Sequence, residues 1–277
     1  MKDKLKTLAF ENNMDYFGVG SVDRWAHAPV GRRPNDLLPE AQSVIVMGIK
    51  IPKGSIESNR RVFKDGLRHG IFTYMLFGYN LLNEVMEKAA TKVALYLNET
   101  QKSKVYFIPA SIPRDEHLMM GEMSNRHSAV CAGLAQFGWN GLALTPEVGP
   151  RVRWVQILTD YKLEPDPLLK GPKLCDRTKC RVCIDVCPVS AFSEKERVEL
   201  KIADQIYTYS KLNRPRCRTC VTGLAKGSAG RLQMDIPENV HKVEDWLSLA
   251  YKDIRWNKME LIASMCGKCM TMCPVGQ

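Results

Sequence analysis

Long apolar runs are absent from this 277-residue chain. No apolar stretch approaches the roughly 18 residues that a membrane-spanning helix needs. The N-terminal segment MKDKLKTLAFENN predicts an amphipathic helix, because it lacks the apolar core of a signal peptide and carries no twin-arginine signal. These absences predict a cytoplasmic protein that does not associate with a membrane.

Short nucleotide-binding and zinc-binding motifs are missing as well. There is no Walker A pattern, and GVGS at 18–21 lacks the third glycine of a dinucleotide-binding fingerprint. The chain has five histidines but no HExxH pattern and no close histidine pair. A flavin or a corrinoid held mainly by backbone contacts remains compatible with the sequence, because neither requires a short obligatory motif.

Basic residues are in excess, with a formal net charge of +10. They are spread along the chain, and the densest clusters, RRVFKDGLRH at 60–69 and KLNRPRCR at 211–218, are short. No nucleic-acid-binding signature accompanies the charge. A solvated basic surface and a docking face for an acidic redox partner or a phosphorylated ligand are both compatible with this pattern.

Cysteine is plentiful, and nine of the ten cysteines lie between Cys175 and Cys273. Disulfides rarely persist in the cytosol, so the pattern favours metal binding. The proline-containing segment EPDPLLKGPK at 164–173 precedes this region. We therefore predict two domains, 1–165 and 166–277.

The cysteine spacing predicts two [4Fe–4S] clusters. Bacterial ferredoxins use C-x2-C-x2-C-x3-C-P, in which the fourth cysteine serves the other cluster. Here the first run is C-x4-C-x2-C-x3-C-P, and a second run ends the chain as C-x2-C-x3-C-P. Crossing the fourth ligands gives a first cysteine set of Cys175, Cys180, Cys183 and Cys273. The second cysteine set comprises Cys187, Cys266, Cys269 and either Cys217 or Cys220.

Other interpretations of these cysteines carry less weight. Zinc ribbons use paired CxxC knuckles but do not usually end each half with Cys-x3-Cys-Pro. Cys217 and Cys220 also form a CxxC pair of the thioredoxin type. Cys131 lies in an apolar helical pattern, which favours a buried core thiol.

The residues before the cysteine region predict mixed α and β structure in one sheet covered by helices. The predicted strands are 15–22, 43–51 and 104–110, and the predicted helices are 2–12, 72–100 and 128–139. Residues 141–160 predict a hairpin that turns at 147–149. After residue 175 we expect short, loop-rich structure, apart from a helical pattern at 243–265.

The order of these features resembles the epoxyqueuosine reductases and their relatives, the reductive dehalogenases. The resemblance rests on EAQSVIVMGI at 40–49, RHSAVCAGLAQFGWNGLALTPEVG at 126–149, LTD at 158–160 and both cysteine runs. It implies an α+β chain in which a nitroreductase-like α/β core carries cobalamin and a two-cluster ferredoxin-like domain follows. It also implies that Cys217, which follows a basic residue, is the ligand in preference to Cys220.

Two departures from the family pattern concern the substrate. The family's proton-donating aspartate falls on Met119 here, with His117 and Glu122 nearby. The chain ends at Gln277, so the helical-repeat extension that helps tRNA-acting members is absent from the sequence. Both departures lead us to expect that tRNA is not the substrate.

Several residues are candidates for the catalytic and cofactor sites. Arg126 matches a family arginine beside the active site, and His127 is a candidate proton donor, although a salt bridge and a structural histidine are the alternatives. Tyr74 and Tyr79 could supply a phenol proton, as a tyrosine does in reductive dehalogenases, or could pack in the core. We therefore predict that the catalytic residues are Arg126, His127, His117 and Tyr79, and that the cofactor-binding residues are Arg126, Asn140, Gly149 and Arg151.

These features together predict a cytoplasmic, cobalamin-dependent iron–sulfur reductase. A ferredoxin or flavodoxin would donate electrons, and the substrate would be a small molecule or a corrinoid protein. Two alternatives stay open. One is an electron-transfer protein that reductively activates a separate corrinoid protein, and the other is a flavin-dependent reductase on the same core.

Overall fold

A computed structural model describes residues 1–67, 69–111, 120–229, 233–250 and 266–277. Mixed helices and strands build a four-stranded antiparallel sheet with the order β1–β2–β6–β3. Its strands are Tyr16–Ser21 (β1), Ser43–Lys50 (β2), Val105–Ile108 (β3) and Val152–Thr159 (β6). Short strands β4 (Gln136–Phe137) and β5 (Ala143–Leu144) pair with each other outside this sheet.

Helices cover both faces of the sheet. On one face lie α1 (Lys2–Glu11) and α5 (Leu81–Gln101), and on the other lies α6 (Asn125–Cys131). The long helix α5 forms because apolar residues recur at helical spacing on its buried side, namely Leu82, Met86, Ala89, Ala90, Val93 and Leu97. Successive side chains of β2 alternate between the two faces of the sheet. Ile45 and Met47 face α5, and Val44 and Val46 face α6.

The helices between β2 and α5 form a nearly continuous stretch. They are α3 (Lys53–Lys64) and α4 (Gly70–Met75), and a π-helical turn at Leu76–Asn80 links α4 to α5. The predicted helix at 72–100 is therefore observed, but a π turn that the sequence pattern did not predict interrupts it. Single π turns of this kind recur at functional sites.

The predicted hairpin at 141–160 is wrong. β5 pairs with β4, whereas β6 inserts between β2 and β3, so the two segments belong to different sheets. Only the turn between them is as expected, with Thr145 and Gly149 hydrogen-bonded to each other. Burial on both faces explains the error, because seven of the eight β6 residues are buried and the strand does not alternate.

The cysteine-rich region contains more regular structure than its sequence predicted. The strands β7 (Phe192–Ile202) and β8 (Gln205–Leu212) form a long hairpin. Short helices α7 (Val182–Asp185), α8 (Arg214–Val221) and α10 (Lys268–Thr271) carry or adjoin the cysteines, and α9 spans Val243–Ala250. The remainder of the helix predicted at 243–265 lies outside the described residues. Within the described part of the chain, no helix is both long and apolar enough to span a membrane.

Candidate functional site

The first cysteine set gathers around a cavity of about 120 Å³. Its lining includes Cys175, Cys180, Cys183 and Cys273, although Cys273 lies some ninety residues further along the chain. Burial, together with the other three thiols, raises the pKa of Cys183 to about 12. The backbone N–H of Trp139 donates to Cys175 Sγ at 3.3 Å, which joins this set to the core. The crossing inferred from spacing thus corresponds to a real convergence of thiols.

The second cysteine set converges separately. Burial, followed by the nearby thiols of Cys266 and Cys187, raises the pKa of Cys217 to about 12. Burial, followed by the thiols of Cys217, Cys266, Cys187 and Cys183, also raises the pKa of Cys269. Cys220 hydrogen-bonds to Cys266, and the backbone N–H of Ala191 donates to Cys187 Sγ at 3.3 Å. Five thiols therefore meet where a cluster needs four.

These thiols suit a group larger than a single ion. A [4Fe–4S] cubane binds one thiolate at each of four corners and so spreads its ligands over a wider space. The donor chemistry, four buried or partly buried thiols in each set, fits such a group.

The three residues predicted to bind a cofactor around 140–151 contact the C-terminal cysteine run. Arg151 is buried and its guanidinium donates to the carbonyls of Met270, Cys273 (2.8 Å) and Val275. Asn140 Nδ2 donates to the carbonyl of Cys269 at 3.2 Å. Gly149 has φ +57°, and a Cβ there would lie 2.2 Å from the carbonyl oxygen of Val275, so only glycine fits. Their role in holding a cofactor stays a prediction.

Replacing Arg151 by methionine is expected to destabilise the protein. Three buried carbonyls would lose a charged donor, and each such bond is worth about 1.5–3 kcal/mol. We expect a loss of roughly 3 kcal/mol, or a fall of about 5–10 °C in the midpoint of anaerobic thermal unfolding.

Arg61→Met is the matched control for this prediction. Arg61 is exposed and, among the described residues, its guanidinium pairs with Asp65 one turn away, so its loss is expected to change stability by less than about 0.5 kcal/mol. Equal unfolding midpoints for the two variants would contradict the proposal that Arg151 stabilises the protein by binding the C-terminal cysteine run.

Arg126 and His127 lie at the start of α6, which begins after the capping residue Ser124. The Arg126 guanidinium donates to the carbonyl of Gly141 and lies within electrostatic range of Cys217 and Cys269. Burial lowers the pKa of Arg126 from its usual value. The imidazole of His127 bonds to Ser124 Oγ at 2.7 Å and to the Tyr209 hydroxyl at 2.9 Å, so it joins α6 to the β7–β8 hairpin.

His127 is expected to remain neutral at physiological pH. Burial, followed by the charges of Arg126 and Arg214, lowers its pKa to about 3. Its contribution to stability is therefore complete above its unfolded pKa of about 6.5 and is lost as the pH falls toward 3. His127→Asn should leave the shape of the pH–activity profile unchanged between pH 5 and 8. Loss of a basic limb between pH 5 and 8 in that variant would instead identify His127 as a proton donor, because a general acid loses activity as the pH rises through its pKa.

Tyr79 lies on the π turn and contacts a cation. The Arg153 guanidinium lies over its ring at 3.8 Å, and Asn83 Oδ1 accepts from Arg153 at 2.7 Å. The Tyr79 hydroxyl bonds to Ser111 Oγ. Burial alone would raise the pKa of Tyr79, but the Arg153 charge and the Ser111 hydrogen bond outweigh it and leave the pKa lowered. This environment suits a phenol that gives up a proton.

The remaining candidates are placed as follows. His117 and Met119 lie outside the described residues. Glu122 accepts a hydrogen bond from the Tyr106 hydroxyl at 2.9 Å. Tyr74 is buried with its hydroxyl 3.8 Å from Met270 Sδ. Cys131 is buried among apolar residues of the α6 face.

Comparisons with known proteins agree with the motifs. No protein-family model matches the chain. The epoxyqueuosine reductase of Staphylococcus aureus is 30% identical over 164 residues, which cover 57% of this chain and 38% of that protein. The tetrachloroethene reductive dehalogenase of Dehalobacter restrictus is 34% identical over 114 residues, 40% of this chain and 18% of that protein. The chain therefore spans well under half the length of these curated relatives.

Solved structures show the same likeness in fold. The epoxyqueuosine reductase of Bacillus subtilis superposes with a TM-score of 0.58 and 20% identity, over 100% of this chain and 65% of that one. An epoxyqueuosine reductase with a tRNA stem loop superposes with a TM-score of 0.56 and 18% identity, over 99% of this chain and 65% of that one. A protein of this fold therefore binds tRNA, which counts against our expectation that tRNA is not a substrate here. In sequence and in fold, the chain is similar to the epoxyqueuosine reductases and reductive dehalogenases, as its motifs predicted.

Proposed function

We propose that this chain is a cobalamin-dependent iron–sulfur oxidoreductase. The observation that supports it most is the convergence of cysteines from 175–187, 217–220 and 266–273 into two crossed sets. In this proposal residues 1–165 are a nitroreductase-like domain that holds cobalamin and substrate, and residues 166–277 are a ferredoxin-like domain. Two [4Fe–4S] clusters, when bound, would pass single electrons to the cobalamin.

The second cysteine set is the one that adjoins the catalytic candidates. Cys217 and Cys269 lie within electrostatic range of Arg126, and Cys266 and Cys269 lie within range of Tyr74. The first cysteine set instead lines a cavity whose rim includes the exposed Lys179. We therefore assign electron entry to the first set and electron exit to the second.

The electron donor is proposed to be a ferredoxin or a flavodoxin. Lys173, Arg177 and Lys179 lie within four residues of Cys175, and the one acidic residue among them, Asp176, pairs with Lys179 at 3.4 Å. A basic rim at the point of electron entry favours an acidic partner and speeds its encounter.

The region around Arg126 has features that suit a corrinoid. Arg126, Cys217 and Cys269 retain some accessible surface although protein surrounds them on nearly all sides, which is typical of residues that line a concave space. Asn125 Oδ1 and Ser128 Oγ, on the same helix, are buried without a partner in the described part of the chain. The amide groups at the periphery of a corrinoid would supply hydrogen bonds to these atoms. Cobalamin would contribute a cobalt centre able to reduce substrate.

The protein's own residues would then bind substrate and deliver the proton. We assign the proton to the Tyr79 hydroxyl, because Arg153 and Ser111 favour its ionised form. Arg126 would hold an anionic substrate group or a corrinoid amide, and His127 would fix the position of α6 against Tyr209. His117 remains a predicted alternative donor.

Anaerobic purification followed by cofactor measurement tests this function. Roughly eight irons per chain, the EPR signals of two reduced [4Fe–4S] clusters and stoichiometric cobalt after incubation with cobalamin are expected. Absence of cobalamin binding would overturn the corrinoid assignment. Extractable FMN would identify a flavin-dependent reductase, and co-purification with a separate corrinoid protein would identify an activator of that protein.

A panel of candidate substrates would test which class of molecule the protein reduces. The named relatives act on tetrachloroethene or on epoxyqueuosine, and one structure contains a modified tRNA stem loop. We propose a small molecule or a corrinoid protein, and a panel containing a haloalkene, epoxyqueuosine nucleoside, the modified stem loop and a corrinoid protein would separate these classes. Turnover of the stem loop but not of the nucleoside would identify RNA as the substrate.

A further inference from the structure

Two buried N–H groups at the first cysteine set have no acceptor among the residues that the structure describes. Trp139 lines the cavity formed by Cys175, Cys180, Cys183 and Cys273. Its indole Nε1 is buried, and so is the Nε of Arg177, and neither has a hydrogen-bond partner within the described ranges. Buried donors without partners cost about 1–3 kcal/mol each, so they are rare in native proteins unless a ligand or water satisfies them.

The two donors belong to one stacked pair. The Arg177 guanidinium lies over the Trp139 ring at 4.4 Å, and the backbone N–H of Trp139 already donates to Cys175 Sγ at 3.3 Å. Arg177 follows Cys175 by two residues, within the x4 loop that is two residues longer than in the bacterial ferredoxin spacing. The longer loop therefore supplies the residue that stacks on Trp139.

We propose that Trp139 Nε1–H and Arg177 Nε–H donate hydrogen bonds to the sulfur atoms of the group bound by the first cysteine set, and that they raise its reduction potential. The inference rests on the proposed [4Fe–4S] cluster at this set. A one-electron reduction adds one negative charge to the cluster, and N–H donors and a guanidinium stabilise that charge. The two residues thus position charge and act through the cluster, without contacting substrate.

A higher reduction potential at the first cysteine set suits its place in the proposed electron-transfer route. This set is the proposed point of electron entry, so it must accept an electron from a separate protein. Stabilising its reduced form makes that acceptance more favourable. The second set contains a comparable pair, with Arg218 5.5 Å from the Trp246 ring centroid, but there the indole Nε1 donates to Thr222 Oγ1 at 3.3 Å. The Trp246 donor is therefore already satisfied within the protein.

This contrast provides the test, which uses the two-cluster protein under anaerobic conditions. Trp139→Phe keeps an aromatic ring for Arg177 to stack on and removes the N–H donor together with the rest of the five-membered ring. Arg177→Lys keeps the charge and removes the Nε–H. In an EPR-monitored redox titration, each variant should shift the midpoint of one cluster to a more negative potential. The expected change is about tenfold in the ratio of reduced to oxidised cluster, or about 59 mV for one electron.

Trp246→Phe is the matched control and should leave both midpoints unchanged. The iron content of every variant must remain near eight per chain, so that a lost cluster is not mistaken for a shifted one. Two bound clusters with unchanged midpoints in both Trp139→Phe and Arg177→Lys would overturn this inference and leave the proposed function intact. Absence of clusters from the unmodified protein would instead overturn the proposed function.

Discussion

Cys217→Ser is expected to halve the iron content of the protein, from roughly eight to roughly four atoms per chain. Cys220→Ser is expected to leave it unchanged. The thiol of Cys217 lies near those of Cys187, Cys266 and Cys269, and so near all three other members of the second cysteine set. Cys220 lies near Cys187, Cys217 and Cys266, and its thiol hydrogen-bonds to that of Cys266. The proximity of Cys217 to all three other members of the set favours it as the fourth ligand.

Iron analysis and EPR of the reduced proteins check this expectation. The signal of the second cluster should disappear in Cys217→Ser, while that of the first remains, because the first set draws its ligands from Cys175, Cys180, Cys183 and Cys273. Electron transfer to any acceptor in the N-terminal domain should also stop in Cys217→Ser, because the second cluster is lost. The reverse pattern would identify Cys220 as the ligand. Full iron content in both single variants would show that either thiol can serve.

The sequence predicted those elements whose side chains have one dominant environment. β1 and β2 were predicted to within about a residue at each end, because their β-branched and apolar residues lie between polar turns. The grouping of Cys175, Cys180 and Cys183 was predictable too, since the fixed spacing of a cluster loop is a local property of the chain. The assignment of the distant Cys273 to that group came instead from the crossed ligand pattern of the ferredoxin motif.

The errors concern features decided by distant contacts. The long β7–β8 hairpin was missed because its strands alternate with charged residues and its outer positions are exposed, so no apolar run marks it. The contacts of Arg151 could not be predicted either, because its guanidinium donates to carbonyls more than a hundred residues away. Its role in binding a cofactor stays a prediction. The π turn that carries Tyr79 has no sequence signature, and neither does the stacking of Arg153 on that ring.

Tyr79→Phe is expected to lower turnover by roughly 10²–10⁴-fold, the usual contribution of a general acid. The substitution keeps the ring that Arg153 contacts and removes only the hydroxyl bonded to Ser111. Iron and cobalt contents should be unchanged, so that the loss reports on proton delivery. The measurement is the rate constant for whichever substrate the panel identifies, with a chemical reductant in excess.

Tyr74→Phe is the matched control, because Tyr74 lies one turn earlier in the same stretch of helix. Its hydroxyl has only a long contact to Met270 Sδ, and burial raises its pKa well above the usual value. A phenol in that environment is a poor proton donor. We expect this variant to retain activity within a few-fold, and a loss equal to that of Tyr79→Phe would point to helix packing as the common cause.

Arg153→Met tests whether Tyr79 acts by donating a proton or only by packing. Without the guanidinium, burial would dominate and the pKa of Tyr79 would rise. If the phenol is the acid, activity is lost as pH rises through its pKa, so the basic limb of the pH–rate profile should move to higher pH in this variant. The ¹³Cζ resonance of labelled tyrosine should report the same upward shift without any substrate. A basic limb that stays in place, together with full activity in Tyr79→Phe, would assign the proton to another group, of which His117 is the next candidate.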